Sequence, residues 1–233
     1  MDKAFRNTSI FIVLIIIGVQ WGFYHPYTSQ FPNFVDKTNV IHIHGIVLML
    51  WLVLLVIQPI LIATGRAQLH RTIGKSSYVL GPLVILMLFL IGKTSFNRHL
   101  GQVPIEALYQ DIVLDMRGWV SFAIFWALAM IKRKDSAAHM RYMIATGILA
   151  IGPGIGRGLI FSVGMDFGPA IIVTDVIDLA IVGFLLGYDL LHKKDYKPYL
   201  IVFSVILAGA FLWQIRDTAA WQSFAKAYAA FMY

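Results

Sequence analysis

Hydrophobic residues fall in seven long blocks along the chain, at about 8–24, 40–64, 76–92, 112–131, 139–163, 169–191 and 199–215, with short polar stretches between them. A helix needs roughly 20 mostly apolar residues to cross about 30 Å of hydrocarbon. The pattern therefore predicts an all-α polytopic bundle of seven transmembrane helices, forming one integral-membrane domain over 1–233. The fourth block is the tightest fit, because only residues 118–131 lie uncharged between Arg117 and Lys132. It reaches full length by leaving Asp115 and Arg117 in the headgroup region. Beyond the last block, Trp221, Phe224, Tyr228 and Phe231 recur at three- and four-residue steps. That stripe predicts a C-terminal amphipathic helix lying on the outer membrane surface.

Composition agrees. Hydrophobic residues make up 59% of the 233 and charged residues 13%, with a mean hydropathy of +0.75, against about 45–50% and about 25% in soluble domains. Soluble, disordered and nucleic-acid-binding classes are excluded, and the lipid bilayer is the first partner. The net charge of +7 reads as loop asymmetry. With the N-terminus inside, 12 of the 19 basic residues, among them Lys3, Arg71, Lys75, Lys134, Arg141 and Lys194, fall at the inner side. The positive-inside rule then favours an N-in, C-out topology, with a bacterial inner membrane as the simplest setting. The first block has no small-residue cleavage motif and is read as a span. The chain has no cysteine, which excludes disulfides, thiolate zinc sites, iron–sulfur clusters and thioether-attached haem.

Ionisable residues inside spans are costly and mark function or structural pairing. One group gathers at the outer end: His42 and His44, Asp111 and Asp115, Arg157, and Asp175 and Asp178. His42 and His44 point about 200° apart on a helix. His44 is the inward one, because it continues a face through Leu48, Trp51, Leu55 and Gln58. His44 with Asp115, Asp175 and Asp178 could hold a divalent metal such as zinc. Alternatively, Arg157 is a structural counter-ion to Asp175 or Asp178. At the inner end, His70 and His139 could clamp a haem b iron axially, with Arg71 and Arg141 placed to meet its propionates. Otherwise both are interfacial histidines meeting lipid phosphate. Gly154 and Gly158 form a small-x-x-x-small step for close helix contact, and Pro153 frees the carbonyl of Leu149. These glycines either pack helices or open a broken-helix ligand site.

Four motifs carry a resemblance: His44-Gly45, Leu69-His70-Arg71-Thr72-Ile73-Gly74, Ala137-Ala138-His139-Met140-Arg141-Tyr142-Met143, and Arg157. Over about a third of its length the chain resembles a bacterial family of multi-pass membrane proteins of unknown function. More distantly, His44-Gly45 and Leu69-His70-Arg71 are similar to motifs of the transmembrane b-type cytochromes. That likeness implies bis-histidine haem and a redox or membrane-complex partner. Those cytochromes use four histidines for two haems, and here only His70 and His139 pair at one face. Three readings follow: a haem-binding electron-transfer protein, an outer-face metal-dependent membrane hydrolase using His44 with the aspartates, and a transporter or accessory subunit.

Overall fold

The computed structural model describes residues 3–233, with side chains from Phe5 onward. The side chain of Lys3, counted above on the inner side, lies outside the described residues. Among the described residues ten α-helices follow one another: α1 (Lys3–Tyr24), α2 (Asn39–Ala63), α3 (Ala67–Gly74), α4 (Ser77–His99), α5 (Ile105–Ile131), α6 (Ser136–Ile148), α7 (Ile151–Gly158), α8 (Phe167–Leu191), α9 (Lys197–Gln214) and α10 (Ala219–Met232). Seven helical segments of the described residues are long and apolar enough to cross a membrane, with α6 and α7 counted as one, Ser136–Val163. Side chains such as Leu14, Ile46, Leu86, Phe184 and Phe211 stand exposed on the outside of the bundle. Lipid is the solvent that accommodates so much apolar surface.

Helix ends follow local chemistry. The Asp135 carboxylate caps α6 by accepting from the Ala137 and Ala138 N–H groups (3.2 and 3.1 Å), satisfying donors that the first turn leaves free. Pro198 stands in the first turn of α9, where a missing N–H costs nothing. Gly65 ends the second span at φ +75°, a conformation that disfavours other residues.

Three elements depart from the sequence pattern. α5 starts at Ile105 rather than near 112, so Asp111, Asp115 and Arg117 lie inside the span. Arg117 is about 18 Å along it at 1.5 Å per residue. The fifth span is broken between α6 and α7 and ends in a π-helical stretch, Leu159–Val163. Pro153, which has no N–H to donate, accounts for the break. Finally, α10 forms, and part of its stripe packs on protein: Trp221, Ala225 and Ala229 bury against the bundle, and Trp221 Nε1 donates to the Tyr109 carbonyl of α5 (2.8 Å). Of the expected stripe, Phe231 points away at 88% exposed.

The central core joins Trp51, Phe122, Phe125 and Ile148. Trp51 meets Phe122 edge-on at 5.1 Å and donates to Thr146 Oγ1 (3.0 Å). α1 and α7 touch backbone to backbone: a methyl added at Gly22 would overlap the Gly154 carbonyl, and one at Gly158 would overlap the Trp21 ring. Gly18 and Gly22 on α1 thus mirror Gly154 and Gly158 on α7, which is the packing role of the small-x-x-x-small step.

Candidate functional sites

The helices alternate direction, so the α2–α4, α5–α6 and α8–α9 connections share one end of the bundle, the basic end. His70 and His139 both lie there, near enough for the charge of one to act on the other. His70 sits not at the start of a span but on α3, a short helix folded across the end of α2. The Gln58 amide donates to His70 Nδ1 and to the His70 carbonyl (3.2 Å), and accepts from the Gly74 N–H (3.3 Å). The reverse amide orientation would face oxygen to oxygen and N–H to N–H. His139 opens α6, and its Nδ1–H donates to the Ala129 carbonyl of α5 (2.9 Å). That bond fixes the tautomer and leaves the Nε2 lone pair free. Burial pushes the His70 imidazole below its ordinary value, and the His139 charge pushes it the same way.

Arg141 has a different partner from the one expected. It makes a two-pronged ion pair with Asp189 of α8, Nε to Oδ2 at 2.7 Å and Nη2 to Oδ1 at 2.9 Å. Its Nη1 donates to the Ala137 carbonyl (2.9 Å), and its guanidinium lies 5.7 Å from the Tyr199 ring centroid. A guanidinium committed this way is a structural clamp between α6, α8 and α9, and does not serve a propionate. Arg71 and Lys75 stay exposed.

At the far end the expected metal ligands separate. His44 Nδ1–H donates to the Met87 carbonyl of α4 (3.3 Å), while His42 shares a 2.6 Å hydrogen bond with the Tyr27 hydroxyl in the loop after α1. His44 is thus the inward one, as its helical face requires. Asp115 accepts from the Tyr233 hydroxyl beyond α10 (3.3 Å), and Gly92 of α4 leaves room for its carboxyl. Asp175 is paired with Arg117, and its neighbour Asp178 is buried beside them. Among the described residues no three His, Asp or Glu side chains stand close enough to hold a metal ion.

The expected counter-ion is also corrected. Arg157 does not pair with Asp175 or Asp178: its Nη1 donates to the Pro153 carbonyl (3.1 Å) and its guanidinium stacks 4.7 Å from the Phe23 ring centroid. Arg117 takes the role. The low start of the fourth hydrophobic block hid this, since it put Arg117 in the headgroups. Counting α5 from Pro104 instead, which the Pro-Ile-Glu helix-opening signal permits, would have placed Arg117 at the depth of Asp175. Asp189 was missed because it sits near the end of the sixth block, where a charge looks interfacial.

No family model, curated protein or solved structure matches the chain. Function therefore has to be argued from the residues.

Proposed function

We propose that this seven-span protein sits in a bacterial inner membrane with its N-terminus inside, binds one b-type haem between His70 and His139, and works in electron transfer. One observation carries the reading. Two histidines 69 positions apart in sequence lie at the basic end within electrostatic reach of each other, and one of them already presents a free Nε2 held in place through Nδ1. Ligating histidines are oriented in that way, with the second ring nitrogen donating to a carbonyl or carboxylate. His139 fits as it stands. His70 accepts at Nδ1 from the Gln58 amide, so ligation through Nε2 requires that hydrogen bond to be given up and the ring proton to move to Nδ1 when haem binds. A bound haem would supply a one-electron couple, while Arg71 and Lys75 would supply positive charge for its acidic groups. The likeness of His44-Gly45 and Leu69-His70-Arg71 to b-type cytochromes points the same way. The metal-hydrolase reading lacks such support, since three of its four ligands, His44, Asp115 and Asp175, have separate partners.

The test is the visible spectrum of the protein purified from haem-replete cells. The proposal expects a Soret band that shifts on dithionite reduction and is lost or turned high-spin in His70→Ala and in His139→Ala. His25→Ala, His99→Ala and His192→Ala should leave it unchanged. A colourless wild-type protein refutes the reading.

A further inference from the structure

The far-end half of the bundle holds a buried, unpartnered carboxyl group, Asp178, that the haem reading does not use. Asp175 and Asp178 are three apart on α8 and share a face. Arg117 pairs with Asp175, but the pair leaves Asp175 Oδ2 and Arg117 Nη1 without partners. Asp178 is 3% exposed, and its Oδ1 has no partner either. Two carboxyl groups stand against one guanidinium, so Asp178 must hold either a proton or a second cation, because an unpaired ion in a low-dielectric interior is expensive. Arg157 does not neutralise it, being turned to Pro153 and Phe23.

The opposite wall is the broken fifth span. A methyl built on Gly152 of α7 would come 3.9 Å from Asp178 Oδ2, so the α7 backbone faces the carboxylate across a gap of atomic size. On the same segment Pro153 cannot donate to the Leu149 carbonyl, which leaves that oxygen without its usual helical partner at the α6–α7 break. Interrupted membrane helices use such freed carbonyls to coordinate small cations.

We propose that Asp178 and Asp175, together with the carbonyl freed at the break, form a binding site for one small monovalent metal cation of the sodium class. The charge count selects the valence: one positive charge balances the cluster, whereas a divalent ion would leave an excess beside Arg117. The donors are all hard oxygens, the ligand type that alkali and alkaline-earth cations take.

The test uses the full-length protein purified in detergent at constant ionic strength, with choline exchanged for sodium. Equilibrium dialysis with radioactive sodium should find one saturable ion per chain, and the unfolding temperature should climb with the logarithm of sodium concentration. Asp178→Asn should weaken binding at least tenfold. Pro153→Ala, which returns an N–H to the Leu149 carbonyl, should weaken it several-fold and serves as the comparison if Asp178→Asn does not fold. The proposal is overturned if folded wild-type protein binds no saturable sodium, as it would if a proton were the sole occupant. It is equally overturned if choline stabilises as well as sodium, or if the folded variants bind as the wild type does.

Discussion

Removing Arg141 tests the clamp at the basic end. Arg141 is 6% exposed and Asp189 3%, and two charge-assisted hydrogen bonds of 2.7 and 2.9 Å join them. Arg141→Leu leaves Asp189 buried among α6, α8 and α9 with no cation. Breaking a buried pair from one side costs about 3–5 kcal/mol, whereas replacing both partners with apolar residues is often close to neutral. Arg141→Leu should therefore lose about 3–5 kcal/mol, Asp189→Leu a similar amount, and the double variant should recover most of it. The cycle then yields a coupling energy of about 5–9 kcal/mol, well above the usual range for contacting residues, because each single variant strands a buried charge. Reversible unfolding of the four proteins in mixed micelles, followed by circular dichroism, gives these values. Additive losses in the double variant would show that Arg141 and Asp189 act independently. If Arg141→Leu removed the haem band while stability held, Arg141 would belong to the cofactor after all.

Other expectations follow from individual contacts. Gly22→Ala should cost about 1–3 kcal/mol by overpacking α1 against α7, while Gly45→Ala, with nothing within 4 Å of the new methyl, should gain about 0.5–1 kcal/mol of helix stability; thermal unfolding of both proteins compares them. His70 is pushed down from 6.5 by burial and by His139, so the unfolded chain binds its proton more readily. Stability is then complete above about pH 6.5 and declines as pH falls toward the lowered folded value. Melting curves between pH 8 and 5 should show that decline, and His70→Gln should flatten it. For topology, cysteines placed at Lys134 and Arg98 of the cysteine-free chain should be labelled from opposite sides of the membrane by an impermeant reagent; labelling from one side contradicts the seven-span path.

The spans were legible because lipid demands long apolar blocks whatever the packing inside, and the expected blocks overlap the seven helices. Boundaries were less legible where a charge is buried by a partner that the local sequence does not contain. Arg117 ended the fourth block on hydropathy, yet Asp175, 58 residues on, lets it continue into the membrane. The same mechanism misassigned Arg157, whose neighbours Pro153 and Phe23 supply a carbonyl and a ring instead of a carboxylate. Arg141 looked like a loop-edge cation until Asp189 met it from another helix. The histidines were easier, since His44 and Gln58 lie on one helical face and His70 and His139 both precede or open helices at the same end. Their tautomers were not legible, because the carbonyls of Met87 and Ala129 that fix them come from other helices.

Everything proposed for the basic end depends on His70 and His139 standing side by side. The chain lacks cysteine, so the double variant His70→Cys/His139→Cys can be treated in membranes with a short bifunctional thiol reagent and cut by protease between the two positions. The fragments should remain joined, while those of His44→Cys/His139→Cys, with its cysteines at opposite ends of the bundle, should separate. Separation of the His70→Cys/His139→Cys fragments, with both thiols shown to be reactive, would contradict the site.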